Sequence, residues 1–285
     1  MINNDLINDI KNYNRIVFNN DINKLLNLNN DKLYFKTNIV DKHIIILIDS
    51  FNDILFNINN INDIVSLFKI SNINKKVNKD NKSINTISIA PYYLCNNLLN
   101  NNCNNSNICY GAKNEMFKNI IQYRLNNYIF FNILEYLIIN NYDAIYKKIL
   151  CNAIKNNKHL ITNIIRINQQ SDIKNNNILK ILNDILLHIK KHYNKDIKFY
   201  TYTKTKNLNY SIIDKNFIIN KSIALIKDPN DLKQYKNDTN IFITIDKSIK
   251  FNDIDIDNKY LCKNNCFKCK NCINKNNNIT LCYKH

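Results

Sequence analysis

His159-Leu-Ile-Thr-Asn-Ile-Ile-Arg-Ile167, then Ile178-Leu-Lys-Ile-Leu-Asn-Asp-Ile-Leu-Leu-His-Ile189, then Ile197-Lys-Phe-Tyr-Thr201 is the stretch of sequence that decides the fold. Its first and last pieces are short runs rich in β-branched and aromatic residues, the make-up of buried strands. Between them Ile178, Leu182, Ile185 and Ile189 recur at helical spacing and give one apolar face. Strand, amphipathic helix and strand in succession make a parallel pair, because parallel strands need a crossover long enough to bring the chain back.

The same alternation extends in both directions. Ile84 to Ala90 reads as a strand that Pro91 ends, since proline cannot donate to a ladder. A cysteine-bearing loop follows. A long helix is expected from about Asn114 to Ile139, with Phe117, Ile121, Tyr128 and Phe131 near one face, and a second from Tyr142 to Asn156. Ser222–Ile226 and Ile241–Ile245 read as short buried strands. The expected class is therefore α/β with a mostly parallel sheet, open or a partial barrel, and a Cys-rich C-terminal tail. Three regions are expected: an irregular N-terminal region over 1–80, an α/β domain over 83–260 and a metal-binding tail over 261–285. In the first, Ile44–Ile48 reads as a strand and Ile61–Ile70 as a short helix. Asn72–Ser83 and Lys174–Asn177 read as loops, and no internal repeat is visible.

Composition sets bounds. Hydrophobic residues make up 45 % of 285, enough for a sizeable core. Gly occurs once, Pro twice and Trp never, the bias of an AT-rich genome that favours Ile, Asn, Lys, Tyr and Phe. The net charge of +17 comes almost wholly from Lys scattered along the chain, so it points only weakly to nucleic acid. No apolar run reaches the roughly 18 to 20 residues of a membrane span. The start, Met1-Ile-Asn-Asn-Asp5, has no signal-peptide pattern. Nine cysteines without a secretory signal argue against disulfides and for metal in a reducing compartment.

The tail concentrates them. Cys262, Cys266, Cys269, Cys272 and Cys282 fall within 21 residues, with a terminal His285. Thiolates two or three residues apart wrap one centre, either a tetrahedral zinc or a 4Fe-4S iron–sulfur cluster. Cys266-x2-Cys269-x2-Cys272 has the spacing of bacterial ferredoxin clusters. Cys262-x3-Cys266-x2-Cys269 has that of radical S-adenosylmethionine enzymes, although there the motif usually follows an early barrel strand. Cys95, Cys103 and Cys109 form a second group in the loop after the first strand of the sheet, where α/β folds place active sites. Three plus five ligands allow two closed centres, or a three-cysteine cluster with an open iron beside a closed centre. Cys151, inside a helix, reads as a buried thiol and His188 as structural.

Other candidates are single residues. Arg survives only at Arg15, Arg124 and Arg166, where a planar fork is one reason not to be Lys. Gly111, two residues past Cys109, permits a positive φ. Asp172 follows a strand, as a site carboxylate or a helix N-cap. Tyr200-Thr-Tyr-Thr-Lys204-Thr ends the next strand and is expected to offer hydroxyls and an amine to the same face.

In order, these segments resemble the phage gene-product-88-like family over about 85–285. Cys109-Tyr110-Gly111-Ala112-Lys113 is similar to its Cys-Tyr-Ala element, and Arg124-Leu-Asn126 to its Arg/Asn-bearing helix. Arg166 to Ile173 resembles its Arg-x-Asn/His…Gly-Asp-Phe strand end, and Tyr202-Thr-Lys204-Thr205 its Tyr-Thr-Lys/Arg-Ser element. This chain has Ser171 where the family has Gly, and its first cysteine lacks the usual Pro-Gly. The resemblance implies an architecture like that of radical-type iron–sulfur proteins. It implies cofactor binding by Tyr110, Gly111, Arg124 and Asn126, and a pocket lined by Arg166, Asp172 and Lys204.

The expectation is an iron–sulfur-cluster-binding protein of phage or viral type, in the cytoplasm of a host cell. Radical-type or other cluster-dependent catalysis on a small-molecule substrate is left open, with S-adenosylmethionine as a speculative cofactor. The alternative is a zinc-binding, nucleic-acid-associated protein of a virus or mobile element, and in neither reading does the chain engage a membrane.

Overall fold

A computed structural model describes residues 4–29, 33, 37–71, 84–103, 117–168, 171–194, 196–238, 240–262, 271–273 and 279–283. Among the described residues its centre is a sheet of seven strands in which every strand pair is parallel. The strands are β1 (Asn85–Ile87), β2 (Ile164–Ile167), β3 (Lys198–Thr203), β4 (Phe217–Ile226), β5 (Ile241–Ile245), β6 (Lys259–Leu261) and β7 (Ile279–Tyr283). They lie in the order β1-β2-β3-β4-β5-β7-β6, and the sheet does not close into a barrel. The mostly parallel α/β reading therefore holds in its open form.

Because the first five strands are laid down in sequence order, the main crossover helices gather on one face. These are α5 (Lys118–Ile139) before β2 with α6 (Asp143–Asn156), and α7 (Asn176–His192) before β3. The helix α7 forms where the sequence predicts it. The Asn175 side chain caps it by accepting the Ile178 N–H at 3.0 Å, and Ile178, Leu182, Ile185 and Ile189 are all buried. The segment Lys174–Asn177, expected as a loop, thus holds the cap and first turn of that helix. Phe117, expected on the apolar face of α5, is instead its N-terminal cap residue and stands exposed.

The described residues among the first 80 are mostly helical rather than irregular. They form α1 (Asn4–Leu26), α2 (Thr37–Phe56) and α3 (Ile61–Leu67), and between α3 and α5 lies the single-turn helix α4 (Asn96–Leu99). Ile44–Ile48, expected as a strand, is the middle of α2. The reason is the wider pattern: Val40, Ile44, Leu47, Phe51 and Leu55 are buried at spacings of three and four, while Ile45 points to solvent. Phe18 of α1 stacks on Phe51 of α2 with ring centroids 3.8 Å apart. One continuous apolar core runs from these helices through α5 and α7 to Ile165, Phe199 and Phe217 on the sheet.

Within the region expected as a separate tail, Ile279–Tyr283 belongs to the sheet. The strand β7 pairs with β5 on one side and β6 on the other. The segment Asn72–Ser83 lies outside the described residues. Left-handed backbone falls at Asn101, Asn141, Asn168, Asn207 and Asn240, the residue type that tolerates it best after glycine. No helix among the described residues is long and apolar enough to cross a membrane.

Candidate functional site

The C-terminal ends of β1, β2 and β3 are tied together by one carboxylate. Asp172, in the loop after β2, is buried. Its Oδ1 accepts the Ile173 N–H at 2.7 Å and the Thr203 hydroxyl, while its Oδ2 accepts the Lys204 N–H at 2.7 Å and the Asn97 side-chain amide. Asn97 lies on α4, after β1, so three successive strand ends meet at this group. Burial pushes the Asp172 carboxyl above its ordinary range, against the pull of Thr203 and of the two backbone N–H groups.

A second set of contacts holds the same loops from below. Asn168, with φ of 54°, accepts the Ile89 N–H and the Ser171 hydroxyl on its Oδ1, each at 3.2 Å. The Ser171 oxygen in turn accepts the Ala90 N–H at 3.2 Å. Ser171 therefore has a bonding role at the position where glycine is usual in the resembling family.

Lys204, the residue after β3, turns its ammonium toward the cysteine loop. Its Nζ is 3.1 Å from Cys103 Sγ, which gives the thiol a positive partner at the sheet's edge. Cys95 sits at the other end of α4, half-buried against the main core. Cys109, Tyr110 and Gly111 lie outside the described residues. Arg166 stands on the face of the sheet away from the large helices, with its guanidinium 5.3 Å from the centre of the Tyr202 ring. Arg124 and Asn126 belong to α5, which packs on the opposite face.

The alternation of β3 corrects one expectation. Tyr200 and Tyr202 face the side that carries Arg166, whereas Thr201 and Thr203 face the helices. There Thr201 donates to the Ile167 carbonyl at 3.0 Å and Thr203 to Asp172. The hydroxyls of this run are thus divided between the two faces.

One described turn of the tail lies on the Arg166 face. This turn, Asn271–Ile273, buries Ile273 with Ile84, Tyr200 and Ile218. Asn220 of β4 holds the turn by donating to the Cys272 carbonyl at 3.1 Å. Cys272 Sγ is 3.7 Å from Thr280 Oγ1, and Cys282 lies two residues further along the same face of β7, about 6.6 Å on. Cys262 follows β6, and its N–H donates to the Leu281 carbonyl at 2.7 Å, which continues the register and sets it beside Cys282. Three tail thiols therefore share one corner of the sheet. Cys266, Cys269 and His285 lie outside the described residues. Among the described residues no group of three or more His, Cys, Asp and Glu side chains is drawn tightly enough to hold a metal ion as it stands. The six described cysteines are thiols, and none forms a disulfide.

Elsewhere, Cys151 of α6 is half-buried, with its Sγ 3.5 Å from His188 Nδ1 on α7. Reading the sequence also missed Asn97 and Asn220 as organising residues. In a chain so rich in asparagine, residue type alone cannot single them out.

Among curated proteins and among solved structures, none matches the chain. A profile of the gene product 88 family matches residues 66–277, beginning within α3 and so somewhat before the stretch that the motifs alone suggested. That match spans well over half of the 285 residues, including the Asp172 junction and both cysteine groups apart from Cys282. By this match the chain belongs to the gene product 88 family.

Proposed function

We propose that the protein binds an iron–sulfur cluster through thiolates at the C-terminal edge of its parallel sheet. The observation that carries this reading is the pairing of β6 with β7, which stands Cys262 beside Cys282 while Cys272 lies over the same face. Cys266 and Cys269 fall between them at ligand spacing. These sulfur donors suit a 4Fe-4S cluster, and zinc is the other ion they suit. Cys95, Cys103 and Cys109 would hold a second centre in the loop after β1. The Lys204 ammonium beside Cys103 supplies the positive charge that a thiolate ligand favours. Such chemistry belongs in a reducing compartment, the cytoplasm of a host cell.

A bound cluster supplies one-electron chemistry. The protein's own residues would bind and orient a small-molecule substrate. Arg166, stacked on Tyr202, and Lys204 suit an anionic group. Asp172 keeps the three loops in place through its four hydrogen bonds, so its part is positioning rather than proton transfer. A radical-type reaction, with S-adenosylmethionine as the ligand to try first, is the enzymatic form of this proposal.

The test is anaerobic purification, a visible absorption spectrum, and counts of iron, sulfide and zinc per chain. Broad absorption near about 400 nm with roughly four irons or more supports the cluster. A colourless protein holding one or two zincs after iron-replete expression overturns it. Weight then moves to a zinc protein that binds nucleic acid, whose affinity would fall steeply with salt.

A further inference from the structure

The outer helical layer carries a group of side chains that the sheet-edge chemistry does not use. Cys151 on α6 faces His188 on α7, and His192 lies one helical turn beyond His188, their ring centroids 4.4 Å apart. Two histidines at i and i+4 project from the same side of a helix. Both histidines and the thiol stand at or near the surface, half-buried or exposed, within reach of solvent.

The spacing has a specific meaning. A tetrahedral zinc ion, with Zn–S of about 2.3 Å and Zn–N of about 2.0 Å, holds its sulfur and nitrogen ligands about 3.5 Å apart. That is the separation of Cys151 Sγ and His188 Nδ1. Without metal, the same distance is spanned by one proton shared between thiol and imidazole. His192, whose ring lies beside that of His188, is the third ligand such a site requires, and its side chain would have to rotate onto the ion. The nearest carboxylate on this stripe, Asp184, is engaged by the Tyr146 hydroxyl at 2.7 Å and by Lys180 Nζ at 2.8 Å. In the proposed site water would take the fourth position.

We propose that Cys151, His188 and His192 form a zinc-class divalent metal site on the α6–α7 surface, separate from the cysteines of the sheet edge. On binding, the Cys151 S–H bond breaks and its proton goes to solvent. The thiolate and two neutral imidazoles then donate to the ion, and no electron changes hands.

Selective 15N labelling of the imidazoles in the full-length protein reads this site directly. Only five histidines are present, and single His→Gln variants assign their signals. Zinc in excess over all nine cysteines should shift the ring nitrogens of His188 and His192, and Cys151→Ser should weaken that response at least about tenfold. Alkylation of Cys151, followed by peptide mass spectrometry, should slow in zinc for the native chain but not for His188→Gln. If the His188 resonances stay where they are in excess zinc, the site does not exist, whatever the tail cysteines bind. A shift of His188 that Cys151→Ser leaves unchanged would equally overturn it, since the thiol would then be no ligand.

Discussion

The backbone N–H of Lys204 donates to the Asp172 carboxylate at 2.7 Å, so the residue leaving β3 is fixed by the loop that follows β2. The other oxygen of the same carboxylate takes the Ile173 N–H. Each oxygen therefore faces one backbone donor that cannot turn away.

An amide in place of that carboxylate must set its own NH2 against one of those donors in either orientation. Asp172→Asn is expected to lower stability by about 3 kcal/mol, the scale of losing charge-assisted bonds and leaving a buried donor unmet. Urea unfolding measures it. A loss below about 0.5 kcal/mol would show that the junction does not hold the strand ends together.

Asn168 combines a left-handed backbone with two accepted hydrogen bonds, and the two contributions separate by substitution. Asn168→Gly keeps the conformation and loses the bonds, at a cost of about 1 kcal/mol. Asn168→Ala should cost about 2 kcal/mol, because a β-carbon at positive φ adds about 1 kcal/mol more. Equal losses in the two variants would contradict this division.

The Phe18–Phe51 stack tests whether the N-terminal helices melt with the sheet. Phe51→Ala removes a fully buried ring, at a cost of about 3 to 5 kcal/mol. Since one core joins α1 and α2 to the sheet, circular dichroism and tyrosine fluorescence should shift together in one transition. Two separated transitions would mark residues 1–80 as an independent unit.

Asp214 gives the acid response a defined sign. Burial alone would raise its carboxyl, but the hydrogen bond from Lys190, the Asn216 N–H and the nearby charges of Lys190 and Lys215 hold it below its ordinary value. A depressed carboxyl contributes stability above the unfolded value of about 3.9, and loses it as pH falls through the folded value. Lys190→Met should therefore be less stable than the native chain at about pH 7, and the gap should close once the carboxyl is protonated. Denaturation curves at about pH 7 and in acid below the folded value decide it, and a gap that widens in acid would refute the assignment.

The strand-helix-strand order around α7 was legible because hydrophobic spacing and an asparagine cap agree there. Around α2 they disagreed: five consecutive aliphatic residues resemble a strand locally, and only the longer run from Val40 to Leu55 reveals the helix. The strands β6 and β7 were hidden for another reason. They are short and sit among cysteines, lysines and asparagines, so metal spacing dominates the reading and no periodicity is long enough to compete. Asp172, Arg166 and Lys204 were visible as residues at strand ends. Their partners were not, since which of many asparagines and threonines meets a carboxylate depends on sheet register.

The order of strands at the β7 edge also constrains how the protein can be made. On the ribosome β6 emerges before β7, yet among the described residues its ladder partner in the sheet is β7. A nascent chain that has emerged as far as Cys272 thus carries an edge at β5 and one orphan strand, with Cys262 and Cys272 made and Cys282 still to come. Inserting β7 between them joins the sheet and gathers the cysteines in a single event. Any metal delivered to that corner during synthesis would meet scattered ligands until the final strand had threaded into place.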